Sequence, residues 1–202
     1  MRIRESLTAI LSLMVACCAV AQGTFVYDQQ SSADETPLPL GQGGRLPTSP
    51  GLGYGQSFTP SLSSIGFIRL LLDDADVANS GGATVLVNLR SDSTTGTIIG
   101  TSASVHMLNG FTGPATFLLP APVSVVPGAT YYLEAVQVSG TPWNAAIGQY
   151  SYPGGTAFVG GSAIGPQDYW FREGIIIPEP SSATFLLLGG AALVCLHRQA
   201  RR

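Results

Sequence analysis

Thr84-Val85-Leu86-Val87-Asn88-Leu89-Arg90-Ser91 alternates from end to end. Val85, Val87 and Leu89 fall on one side and Leu86, Asn88 and Arg90 on the other, because successive side chains of an extended chain point to opposite faces. A period of two over this length predicts a strand with one buried face. Similar short stretches flank it at 22–28, 56–59, 65–72, 98–105, 115–119, 123–126, 130–138, 143–150 and 168–172, with Gly, Pro and Ser between them. Residues 31–55, rich in the same three types, read as a long irregular loop. Pro127-Gly128 suits the centre of a type II turn, Pro fixing φ and Gly accepting a positive φ, so the chain should reverse into Tyr131-Tyr132-Leu133. Nothing repeats at a fixed period, and no run of helix formers separates the strands. Strands so spaced bury their apolar faces only sheet against sheet. The expectation is an all-β fold, a single β-sandwich of jelly-roll type.

Both ends of the chain read differently. Arg2 and Arg4 precede an apolar stretch at 7–16, and Ala19-Val20-Ala21 is an A-x-A site. Together they read as a helical secretory signal peptide over 1–21, cut between Ala21 and Gln22. Val15-Ala16-Cys17 also partly matches a lipobox, which keeps a lipoprotein reading open. At the other end stand Pro178-Glu179-Pro180, the apolar run 181–196, and His197-Arg198-Gln199-Ala200-Arg201-Arg202. As a helix, 181–196 would rise about 24 Å at about 1.5 Å per residue, slightly short of a bilayer core of about 30 Å. Arg198, Arg201 and Arg202 can snorkel to head groups and extend that reach, and they orient this end toward the cytoplasm. Pro178 and Pro180 keep the preceding chain extended, a form that a protease cleft can bind.

The order of triplet, apolar helix and basic end resembles the PEP-CTERM sorting signal of exported bacterial proteins. The resemblance covers 178–202. It implies that an exosortase-type membrane peptidase acts at Pro178-Glu179-Pro180, that the transmembrane helix is a temporary inner-membrane anchor, and that the protein ends at the cell surface or in the extracellular matrix. A second resemblance rests on Gln56-Ser57-Phe58-Thr59, Ile65-Gly66-Phe67-Ile68 and Val126-Pro127-Gly128 with Tyr131 and Leu133. These look like small exported sandwich domains that precede such tails, with partial likeness to carbohydrate-binding modules.

Between the two signals lies the expected exported domain, 22–177. It contains no cysteine, since Cys17, Cys18 and Cys195 all fall outside it. Disulfides, thiolate nucleophiles and cysteine metal sites are thereby excluded. Four arginines stand against ten carboxylates, with no lysine, a net of −6. Nucleic acid is excluded as a partner, because phosphate binding needs clustered Lys and Arg.

Catalytic residues are sparse. His106 is the domain's single histidine, and it has no serine elbow or second histidine nearby in sequence. A surface or satisfied histidine is the expected reading. Asp73, Asp74 and Asp76 precede Asn79-Ser80-Gly81-Gly82 and could wrap a calcium ion, though the loop lacks EF-hand spacing and would serve equally as a solvated turn. Trp143, Tyr150, Tyr152 and Trp170 form the other candidate site: exposed on a sandwich they would stack on sugar rings, and buried they would be core.

Three functional classes follow. The leading one is an exported, non-catalytic cell-surface or matrix protein with no cofactor, associated with exopolysaccharide. The second is a carbohydrate-binding module with an aromatic stacking site. A glycoside hydrolase stands third, because a carboxylate pair from separate strands is invisible in sequence spacing.

Overall fold

The alternating stretch at 84–91 becomes a central strand. The structure is a computed structural model describing residues 23–178 apart from Leu38, Leu40, Val77 and Ser151. The signal peptide with Ala21 and Gln22, residues Glu179 and Pro180, the apolar run and Arg198, Arg201 and Arg202 lie outside the described residues. The strands are β1 (Thr24–Gln30), β2 (Gly44–Arg45), β3 (Gly55–Phe58), β4 (Ser64–Asp74), β5 (Ala83–Ser91), β6 (Ile98–Thr101), β7 (Val105–Met107) and β8 (Thr112–Ser124). They continue as β9 (Tyr131–Gly140), β10 (Trp143–Ala145), β11 (Ile147–Gly148), β12 (Ala157–Val159), β13 (Ser162–Ala163), β14 (Asp168–Tyr169) and β15 (Phe171–Ile177). No helix occurs among the described residues. Val26–Ile175 forms one compact unit, and the described residues outside it are 23–25 and 176–178.

The fold is all-β, built from antiparallel sheets. One sheet runs β1, β15, β4, β8, and β10 followed by β2 extends it on the edge of β4 that β15 also uses. The other runs β13, β12, β3, β9, β5, with β6 and β7 end to end along the far edge of β5. β11 and β14 form a small pair of their own.

One core joins the two large sheets. Val85, Val87 and Leu89 of β5 meet Phe58 and Leu133 from their own sheet and Ile68, Leu70, Phe117 and Phe171 from the other. The period of two reads straight onto this core: Ile68 stands opposite Phe117, and Leu70 is flanked by Ala115 and Phe171. Each such fully buried side chain contributes about 1.5–3 kcal/mol relative to exposure.

The departures from the sequence reading have local causes. The strand expected over 98–105 is two, because the Val87 N–H donates to the Ser102 hydroxyl at 2.9 Å, where a ladder would use a carbonyl. The strands expected over 115–119 and 123–126 are one, β8. It tolerates Pro120 and Pro122 because its register with β4 shifts between Ile65 and Phe67, which leaves the prolines outside the ladder. Residues 143–150 change sheets: after β10 the Ala146 N–H goes to the Leu71 carbonyl at 2.8 Å, and β11 pairs with β14. The turn at Pro127-Gly128 is as expected, with Gly128 at φ +80° and the Ala129 N–H donating to the Val126 carbonyl at 3.1 Å.

The 31–55 stretch expected as loop carries one short strand, β2, paired with β10, and is pinned at its start and beside that strand. Ser31 accepts from Phe171 N and donates its own N–H to the Phe171 carbonyl, both at 3.0 Å, and the Leu46 N–H reaches the Trp143 carbonyl at 2.9 Å.

Candidate functional site

β10 places Trp143 in the shared core, fully buried, with its ring 5.9 Å from Phe111. Trp170, between β14 and β15, is buried with Leu71 and Ala146 in a smaller cluster against which Tyr150 packs. Its indole N–H donates to the Asp34 carbonyl at 2.6 Å, and the Arg172 guanidinium lies 5.1 Å from its ring centre and 5.2 Å from that of Tyr27. Neither indole offers a face to solvent, so the sugar-stacking alternative is corrected for Trp143 and Trp170 and the core alternative holds: these rings pack the fold. Burying a ring removes about 150–250 Å² from water, a gain that an exposed platform would forgo.

Tyr152 is mostly buried as well. Its ring meets Phe171 edge-on at 5.0 Å, and its hydroxyl accepts from the Thr59 N–H at 3.0 Å and donates to Gln29 at 3.2 Å. Together with half-buried Tyr150 it borders a cleft of about 220 Å³ whose lining includes Pro153, Thr156, Gln167 and Asp168. Asp168 is the cleft's anchor: Oδ1 accepts from Gln56 Nε2 at 2.8 Å and Oδ2 from the Tyr152 N–H at 3.1 Å. Gln56 in turn accepts the Tyr169 N–H at 2.8 Å. With both oxygens engaged, Asp168 shapes the cleft. The exposed Gln167 amide and the half-buried Thr156 hydroxyl remain on its rim for hydroxyl-bearing ligands.

The three aspartates that could have wrapped a calcium ion, Asp73, Asp74 and Asp76, diverge, which corrects that alternative. Asp73 and Asp74 are neighbours on β4 and point to opposite faces. Asp73 accepts from Gly41 N at 2.7 Å, Asp74 from Gly110 N at 3.0 Å and Asp76 N at 3.0 Å, and Asp76 from Ala78 N at 3.1 Å. Each carboxylate closes its own loop, and no group of three or more His, Cys, Asp or Glu side chains converges among the described residues. The donor set does not fit a calcium ion, which takes 6–8 oxygens at once. Burial pushes Asp73 up to about 6 against the pull of its Gly41, Asn144 and Gln42 donors.

His106 is exposed on β7, its Nδ1 3.2 Å from the Thr84 hydroxyl.

Three charged groupings escaped the sequence reading. Arg90 and Glu134 form a buried pair, Nη2 to Oε2 2.8 Å, and Glu134 Oε1 also accepts the Gly51 N–H at 2.6 Å. Glu35 binds Arg69 at 2.7 Å and Arg172 at 2.6 Å on the outer face of the first sheet. Glu173 is fully buried beside Asp28, and no donor reaches either of its oxygens in hydrogen-bonding geometry. Burial first, then the Asp28 charge, push it up to about 8, opposed by the nearby Gln29 N–H. Asp28 goes the other way: burial raises it, but donors from Ser61, Leu62 and Gln29 bring it below its ordinary value. Glu173 lies two residues after Phe171 and so shares its inward face, which the spacing alone does not announce because the strand Phe171–Ile177 does not alternate.

No protein-family model matches this chain, and no curated protein matches it.

Proposed function

We propose that this chain is an exported, non-catalytic cell-surface or extracellular-matrix protein, sorted through a PEP-CTERM tail at 178–202 and associated with exopolysaccharide. The observation that carries the reading is the order Pro178-Glu179-Pro180, apolar run, basic end. An exosortase-type peptidase would be its processing partner, with the inner membrane holding it through 181–196 until cleavage. Pro178 is exposed directly after β15, as a processing site requires. The sandwich would be a jelly roll, an assignment supported by strand order: taking β1, β3, β4, β5, β6 with β7, β8, β9 and β15 as strands one to eight, the sheets run one-eight-three-six and two-seven-four-five.

A second reading, a carbohydrate-binding module, is favoured by the cleft beside Tyr150 and Tyr152, which is of a size to seat a sugar unit and carries polar groups at its rim. Trp143 and Trp170 have no part in it.

Fractionation of an exporting host tests the first reading. The wild-type chain should leave the membrane fraction, and Glu179→Ala should remain in it; normal release of the variant would remove the role given to the triplet.

A further inference from the structure

Glu173 is the least expected side chain of the interior. It is fully buried, faces inward like Phe171 two residues before it, and has both oxygens without a hydrogen-bond donor. A carboxylate in that position would cost several kcal/mol in desolvation alone. β1 pairs with β15, and Gly174, the next residue of β15, lies against the Val26 carbonyl and the Tyr27 Cα, which sets Glu173 beside the Asp28 carboxyl and the Gln29 N–H of β1.

The surrounding charges offer it no cation. Asp28 is already held by the Ser61 N–H at 2.7 Å, the Leu62 N–H at 2.9 Å, Gln29 Nε2 at 3.1 Å and the Ser61 hydroxyl. Tyr152 comes from the cleft loop, and Asp168 of β14 adds a further negative charge to the same neighbourhood. Arg172 and Arg69 sit on the opposite face of the sheet, both engaged by Glu35. Among the described residues the charged groups that act on this side, Asp28 and Asp168, are acidic, and with Asp28 supplied with donors, the group short of one is Glu173.

We propose that Glu173 and Asp28 share one proton, carried on Glu173 and donated to Asp28, and that this proton latches edge strand β1 onto β15. Losing it sets two carboxylates against each other across the β1–β15 seam. β1 then loosens and the edge of β15 opens, while β5 and β9 at the centre of the other sheet keep their pairing. The direction of the two titrations agrees, Glu173 being held well above its ordinary value and Asp28 below. The sense is fixed by the sign: the latch is complete in acid and is lost as pH rises through about 8.

Hydrogen exchange on the full chain, read at the β1 amides and corrected for intrinsic rates, tests this directly. Between about pH 6 and about pH 9 the wild type should lose about tenfold or more of its β1 protection, the equivalent of one unit of titration, while β5 and β9 amides hold. Glu173→Gln should change by less than about twofold over the same range. An equal loss in Glu173→Gln overturns the latch. If that variant does not fold, Asp28→Asn, which removes the opposing charge, should show a smaller alkaline loss than wild type, and an equal loss overturns the proposal. A calcium arm separates the remaining case: protection restored by calcium at high pH in the wild type but not in Glu173→Gln would mean that the pair takes a metal ion, which also overturns the shared proton.

Discussion

The indole N–H of Trp170 donates to the backbone carbonyl of Asp34 at 2.6 Å, across 136 residues of sequence. Trp143 is buried as deeply, yet its N–H has no partner. Two tryptophans that look alike in sequence therefore do different work, one fastening a loop and the other filling space.

That difference gives a pair of expected outcomes. Trp170→Phe should cost about 1 kcal/mol for the lost bond, beyond the change in volume, and should admit protease between Ser31 and Thr36. Trp143→Phe should leave that segment protected, because no bond is lost. Trp143→Ala should cost about 3–5 kcal/mol. Thermal melts and limited proteolysis check both, and a Trp143→Ala chain with unchanged melting temperature would contradict its place in the core.

Glu134 and Arg90 make an ion pair that is out of water on both sides. Removing one partner strands the other, so Glu134→Leu or Arg90→Met alone should cost about 3–5 kcal/mol, and the double variant should recover most of that. A denaturant double-mutant cycle reads the coupling. Additive losses would contradict the pair.

Asp73 bears on stability in mild acid. Its folded value of about 6 lies above the ordinary 3.8, so its contribution is whole below 3.8 and is lost as pH rises through about 6. Asp73→Asn should flatten the stability profile between those values and leave the alkaline end unchanged. Asp28 acts oppositely, its contribution present above 3.8 and lost as pH falls further. Urea midpoints measured across that range check the Asp73 sign, and midpoints carried on below pH 3.8 check that of Asp28.

If the cleft beside Tyr150 and Tyr152 binds sugar, Tyr150→Ala should weaken retention on the host's exopolysaccharide by about two- to tenfold, while Tyr150→Phe, which keeps the ring and its packing on the Trp170 cluster, should leave both retention and melting temperature near wild type. A single ring beyond its area burial contributes only about 0.5–1.5 kcal/mol, so the affinity should be modest. Retention unchanged by Tyr150→Ala would place the site elsewhere. Hydrolysis of a glycan, lost on replacing one carboxylate, would make the chain an enzyme.

The all-β class was legible because the apolar residues of β5 recur with a period of two, so that Val85, Val87 and Leu89 share the core face, a local property. What stayed hidden was set by partners far away in sequence. Ser102 breaks a strand by lending its hydroxyl to Val87, and nothing near Ser102 announces it. β12 and β13 are short strands made by pairing with β3 and with each other, in a stretch whose Gly and Pro content reads as loop. The candidate site failed on the same ground. An aromatic residue reads alike in sequence whether its ring is buried like Trp143 or half-buried like Tyr150, and three adjacent aspartates say nothing of the three separate loops that they close. Glu173 falls just past the strand expected over 168–172, in a segment without alternation, and its neighbour Asp28 lies at the other end of the chain.

The central claim, export and sorting through the tail, is tested most directly by the intact mass of the protein recovered from outside a host that has the sorting peptidase. The expected species begins at Gln22 and lacks the residues after the Pro178-Glu179-Pro180 site. A mature species that still carries Phe185 to Arg202 would contradict it.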